Sequence, residues 1–139
     1  MNILITGGST GLGRAIVEKL ASDINNTVYF TYNSNVDIAN LFCASYKNVI
    51  AQHCDFSSQT SIKELLINMS GWDLDVLINN AYSGNPQGSH FHKTATDDFM
   101  NSFQLNVLPT IMITQEAVKK FRKKKAGKII TVLTAALLN

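Results

Sequence analysis

Residues 2–13 read Asn-Ile-Leu-Ile-Thr-Gly-Gly-Ser-Thr-Gly-Leu-Gly. The apolar run 2–6 is short enough for a buried strand. It passes without a spacer into glycines 7, 8, 11 and 13. Helical spacing follows over residues 12–23, with Leu12, Ile16, Val17, Leu20 and Ala21 on one face. Residues 27–32, Thr-Val-Tyr-Phe-Thr-Tyr, are β-branched and aromatic and form a second strand. The first 32 residues are therefore a βαβ unit with a glycine-rich first turn.

The pattern continues outward from that unit. Residues 36–46 read as a helix that turns Ile38, Leu41 and Phe42 inward. Residues 48–53 are a short strand. Residues 58–70 form a helix with Ser57 or Ser58 as its cap and Ile62, Leu65, Leu66 and Met69 facing in. Residues 74–79 are a fourth strand, and 82–93 a polar loop containing Gly84, Pro86 and Gly88. Residues 95–105 and 106–124 are helical, with Pro109 tolerated in the first turn of the second piece. Gly127 ends the helix, and 128–134 form a fifth strand. Strict alternation of strands and helices predicts an α/β, doubly wound (Rossmann-like) parallel sheet. Ligands of such sheets sit beyond the carboxyl ends of the strands. The tips after Thr6, Tyr32, His53, Asn79 and Thr134 are thus the expected site.

The 139 residues predict one domain, 1–139. The 45% hydrophobic content and mean hydropathy of +0.04 supply a core and argue against disorder. No apolar run approaches the roughly 20 residues of a membrane span, and the start shows no signal-peptide pattern. Cys43 and Cys54 form no metal spacing and read as reduced, mostly buried thiols of a cytoplasmic protein. Net charge is only +2, yet six of the twelve basic residues lie in 119–125. That run suits the solvated C-terminal end of a helix, with Phe121 as an apolar anchor, better than a nucleic-acid or membrane surface. His90 and His92 lack a third metal ligand and read as a solvated loop, so no metal is expected.

A glycine turn between strand and helix leaves room for a phosphate, and the helix N-terminus supplies N–H donors and a positive dipole end. Glycine is also common in ordinary strand–helix turns, so the local pattern alone leaves both readings open. The spacing Thr6-Gly7-x-x-x-Gly11-x-Gly13 lacks the lysine of a Walker loop. It resembles the TGxxxGxG fingerprint of the short-chain dehydrogenase/reductase family, and further family marks follow in order. Asp55, with Phe56, stands past the third strand, where the family has an adenine-contacting Asp. Asp55 is also readable as a cap of the next helix, before Ser57 and Ser58. Asn79-Asn80-Ala81-Tyr82 resembles the family's NNAG, with Tyr82 in place of glycine beside the nicotinamide ribose. Asp97-Asp98-Phe99 followed by Asn106 resembles the helix leading to the family's catalytic Asn, which holds a water in a proton relay. Residues 127–134 resemble the strand ending in the catalytic Ser, and put Thr134 on that position. Thr134 is also readable as an ordinary strand-end threonine.

The resemblance implies a cofactor site. Thr6, Gly7, Ser9, Thr10, Gly11, Leu12 and Gly13 would receive the pyrophosphate. Asn33 and Ser34 would take the adenosine ribose, Asp55 and Phe56 the adenine, and Asn80, Ala81 and Tyr82 the nicotinamide ribose. The second strand ends Thr31-Tyr32-Asn33-Ser34 without an acid, which resembles NADP-preferring members, the 3-oxoacyl-carrier-protein reductases among them. Many of those have an Arg where this chain has Thr10. Ser9, Asn33 and Ser34, with Arg14 assisting, would then bind a 2′-phosphate, and NADP is expected over NAD.

The family's acid is a Tyr with a Lys four residues on. Tyr29, Tyr32, Tyr46 and Tyr82 are followed at that distance by Asn33, Val36, Ile50 and Pro86. The resemblance therefore covers the first half to three-fifths of a family member, and implies its five strands in the order 3-2-1-4-5 without the family's C-terminal strands. The expected activity is hydride transfer between a nicotinamide cofactor and a small carbonyl or alcohol. This chain is expected to be a fragment that is inactive alone. The alternative is a non-catalytic nucleotide-binding or cofactor-sensing module. Ile129, Ile130 and Val132 on the fifth strand form an exposed apolar edge, so a homo-oligomer is expected. Neither nucleic acid nor membrane is expected as a partner.

Overall fold

The computed structural model describes residues 1–84 and 91–133. Five strands, β1 (Asn2–Ile5), β2 (Thr27–Tyr32), β3 (Val49–His53), β4 (Val76–Asn79) and β5 (Lys128–Thr131), form one sheet in the order β3-β2-β1-β4-β5. Every pairing is parallel; Ile3 stands level with Val28 on one side and Val76 on the other. The helices are α1 (Gly11–Ala21), α2 (Val36–Ser45), α3 (Gln59–Ser70), α4 (Thr96–Ser102) and α5 (Leu108–Lys124), with a short 3₁₀ turn at Phe91–Lys93.

A central strand buried on both faces needs apolar residues at every position, not at alternate ones. In β1, Ile3 and Ile5 join Val17, Val28, Phe30 and Phe42 on the face covered by α1 and α2. Leu4 points the other way, into Leu65, Met69, Leu77, Ile113 and Ala117 beneath α3 and α5. Val76 and Ile78 divide from Leu77 in the same manner on β4. Phe121 closes the second layer, as its anchoring role predicts.

Several helical details differ from the sequence expectation. Leu12 is 58% exposed, because the first turn of α1 projects beyond the strand tips. Leu41 and Cys43 also face outward; α2 buries Ala39 and Phe42 instead, since a ten-residue helix on a flat sheet hides only a narrow stripe. Of the two expected caps of α3, Ser58 takes the role and accepts from the Ser61 N–H at 3.2 Å. The left-handed stop after α5 is Lys125 (φ 56°), two residues before Gly127. Among the described residues no helix is long and apolar enough to cross a membrane.

The two expected C-terminal helical pieces are joined by a π-helical turn, Phe103–Val107. The Leu108 N–H donates to the Phe103 carbonyl, five residues back. Pro109 has no N–H and its ring crowds the carbonyl four residues earlier, so a wider turn relieves the clash. Pro109 then begins α5. At the sheet edge all four residues of β5 are exposed, Ile130 to 50%.

Candidate functional site

The strand tips and the turn after β1 enclose a cleft of about 500 Å³. Its floor depends on two glycines. Gly7 has φ +69°, and a Cβ there would lie 2.8 Å from the Ala81 Cα. A Cβ on Gly13 would overlap the Gly7 carbonyl and the Asn80 amide. Glycine at both positions lets the tip of β4 sit directly against the turn.

That contact is made by hydrogen bonds. Asn80 Nδ2 donates to the carbonyls of Thr6 (3.0 Å) and Gly7 (3.1 Å). The backbone N–H groups of Asn80 and Ala81 both donate to Thr6 Oγ1 at 3.0 Å. From the other side, the Gly7 N–H donates to Thr31 Oγ1 at 2.9 Å, and the Gly8 N–H to the Thr31 carbonyl at 2.8 Å. Asn79, one residue earlier, donates to Thr114 and Thr131 and so ties β4 to α5 and β5.

The start of α1 opens on this cleft. Thr10 is its cap residue and makes no side-chain capping bond. The first turn carries no carboxylate, and the first intrahelical donor is Arg14 N–H to the Thr10 carbonyl. The donors of residues 11–13 therefore lack side-chain capping, in contrast to the capped α3. An anion is the natural partner of such an end. The glycine cradle and this helix end fit a diphosphate.

Gly7, Ser9, Thr10, Asn33, Ser34, Asp55, Phe56, Asn80, Ala81 and Tyr82 all line the cleft, as their positions predict. Thr6 is buried beneath it and acts through its hydroxyl. Gly11, Leu12 and Gly13 do not line it with side chains; they form the helix end behind it. Thr31, Asn35, Ser83 and Leu105 line it as well and were not expected. The signal for Thr31 is a buried hydroxyl within an apolar strand, and Asn35 stands 3.5 Å from Ser9 Oγ. Ser83 and Leu105 carry no such sequence signal.

Asp55 is the sole charged side chain lining the cleft among the described residues. Ser57 donates to its Oδ1 through both hydroxyl (2.7 Å) and N–H (2.8 Å). These bonds, with His53 adding a smaller effect, hold the carboxyl below the ordinary 3.8. Asp55 thus fixes the turn ahead of α3, while Ser58 supplies the cap. Arg14 does not line the cleft: Glu18 holds it at 3.1 Å and it lies over the Phe42 ring.

Asn106 is not among the lining residues either. It sits in the π turn, accepts from the Ser83 N–H (2.6 Å), and donates to the carbonyls of Ser83 (2.8 Å) and Ser102 (3.1 Å). Its own carbonyl accepts from Thr110 Oγ1. Both amide hydrogens are used, so its side chain positions the loop after β4. Thr134 and His90 lie outside the described residues. Among those described, no group of three or more His, Cys, Asp or Glu is arranged to hold a metal.

A family model described as short chain dehydrogenase matches residues 1–138. The 3-oxoacyl-(acyl-carrier-protein) reductase of Aquifex aeolicus (strain VF5) is 29% identical over 136 residues, covering 93% of this chain and 53% of that protein. A 3-amino-tetrahydro-pyrrolizinone reductase of Xenorhabdus hominickii is 31% identical over 135 residues, covering 94% and 44%. The fold matches a Sphingobium yanoikuyae short-chain dehydrogenase in complex with NADPH (TM-score 0.81, 19% identity, 96% of this chain and 54% of that one). The chain spans about half the length of the curated relatives it matches.

Proposed function

Because the chain belongs to the short-chain dehydrogenase family, we propose that residues 1–139 form a dinucleotide-binding unit whose cleft takes a nicotinamide cofactor. The bound cofactor would supply or accept hydride at a carbonyl or alcohol carbon. The observation carrying this reading is the uncapped start of α1 facing a turn that admits no Cβ at Gly7.

Each part of the cleft has a task in this reading. The N–H groups of Gly11, Leu12 and Gly13, with Ser9 and Thr10, receive the diphosphate. Asp55 and Phe56 border the adenine. Asn33 and Ser34 take the adenosine ribose. No carboxylate at the end of β2 repels a 2′-phosphate, and Ser9, Asn33, Ser34 and Asn35 offer neutral donors to it, so NADP is favoured over NAD. Asn80, Ala81 and Tyr82 border the second ribose. Asn106 acts through Ser83, and the Thr134 hydroxyl is proposed as a donor to the substrate carbonyl.

No tyrosine of this chain has a lysine four residues on. General acid–base help contributes roughly 10²–10⁴-fold, so this chain binds cofactor without useful turnover of its own. Calorimetric titration with NADP⁺ and NAD⁺ tests the reading: saturable heat with tighter NADP⁺ binding is expected, and no heat with either overturns it. Trp72 is a poor reporter, because it stacks on Tyr29 (4.0 Å) at the opposite end of the sheet. The uncapped start of α1 and the glycine turn serve a second reading equally, a non-catalytic cofactor-sensing module. Saturable binding with no NADPH oxidation, in the presence of a ketone panel and of a longer form carrying a Tyr-x-x-x-Lys, selects it.

A further inference from the structure

Thr31 is 2% exposed on β2, between β1 and β3, where a strand covered on both faces calls for an apolar side chain. A buried hydroxyl is costly unless it is hydrogen-bonded. This one accepts from the Gly7 N–H at 2.9 Å. The Thr31 carbonyl takes the next donor of the turn, the Gly8 N–H, at 2.8 Å. One residue of β2 thus occupies the first two N–H groups of the glycine turn, and an anion is left to the donors further along, at the start of α1.

The peptide plane between Thr6 and Gly7 is therefore gripped at both ends. Its carbonyl accepts from the Asn80 amide at 3.0 Å, from the tip of β4, and its N–H donates to Thr31, on β2. The left-handed φ of +69° at Gly7 follows directly on this plane. The bond to Gly8 is backbone and survives any substitution of Thr31, whereas the bond to Gly7 depends on the hydroxyl. Without that hydroxyl the Gly7 N–H is stranded and the entry plane of the turn can rotate. Donors attract an anion best when their directions are fixed in advance, and the start of α1 is reached only through this turn. This inference rests on the cofactor reading above. We propose that Thr31 is a positioning residue for the diphosphate: acting through Gly7, its hydroxyl keeps the turn in the shape that aims the start of α1 at the ligand.

Calorimetry on the 139-residue chain with NADP⁺, NAD⁺ and ADP, well below the thermal midpoint, tests it with two variants. Thr31→Val keeps the side-chain shape and loses the hydroxyl. It should weaken all three ligands alike, by about tenfold, because all three carry the diphosphate. Thr31→Ser keeps the hydroxyl and loses a buried methyl. It should lower the thermal midpoint and still bind each ligand within about twofold of the parent. A threonine that served stability alone would leave affinity unchanged in Thr31→Val. Parental affinity in that variant therefore overturns the proposal, as does a loss confined to NADP⁺, which would make Thr31 a contact of the 2′-phosphate. A tenfold loss in Thr31→Ser overturns it as well, even where Thr31→Val does not fold. If the parent binds none of the three, the cofactor reading falls and this one with it.

Discussion

The side-chain amide of Asn80 donates to the Gly7 carbonyl at 3.1 Å, in space that exists because residue 13 has no Cβ. The glycine turn and the tip of β4 are thus one interlocked unit, and an added methyl at residue 13 strikes the same amide that makes the bond. Gly13→Ala should destabilise the fold by about 1–3 kcal/mol through overpacking. Asn80→Ala should cost about 1–3 kcal/mol by stranding the carbonyls of Thr6 and Gly7. The double variant should cost less than the sum, because the methyl then meets only the Gly7 carbonyl and no longer the amide. Urea denaturation of the four proteins measures the coupling; strict additivity refutes the interlock.

The thiols should separate cleanly. Cys43 lies exposed on α2, whereas burial pushes the Cys54 thiol up to about 11. At neutral pH a disulfide-exchange reagent should label one cysteine at once and the second only as the protein unfolds. Two equally fast thiols would contradict this packing.

Acid sensitivity should centre partly on Asp75. Lys124 (2.6 Å) and the Asn2 N–H (2.7 Å) hold its carboxyl below the ordinary 3.8. Its stabilisation is present above that value and lost as pH falls through the lowered one. Lys124, raised by Asp75 and then Asp73, contributes until pH passes above 10.5. Lys124→Met should therefore lower the thermal midpoint equally at pH 6 and pH 8, with the deficit shrinking toward pH 3. A deficit that grows on acidification would show the assignment to be wrong.

The chain should self-associate with increasing concentration. Ile129 and Ile130 are exposed on edge strand β5, and Phe99, Phe103, Val107 and Ile111 form an outward stripe along α4, the π turn and α5. Such apolar surface favours a second copy over water. Multi-angle light scattering should show a mass above 15.3 kDa, reduced by Phe103→Asp or Ile130→Lys. A concentration-independent monomer refutes it.

The elements were legible because each carries its own period. Fully apolar runs such as Ile3–Ile5 mark strands covered on both faces, and alternation with helices marks the sheet as parallel. The glycine spacing was equally readable, because φ +69° at Gly7 excludes most side chains locally. Inward and outward residues of the short helices were less so: Ile38, Ala39 and Phe42 pack against the sheet, whereas Leu41 and Cys43 face outward. The π turn was not foreseen, although Pro109 announces some departure from regular helix.

By itself the sequence determined the parallel α/β sheet, the glycine turn and most of the residues that reach the cleft, because strand periods, strand tips and glycine turns are properties of local chain. Tertiary structure alone decided the partnerships across it. Asn80 meets Gly7, and Asn106 meets Ser83. Residues 73 or 23 positions apart hydrogen-bond only where folded strands and helices bring them within about 3 Å, and no local spacing encodes that approach.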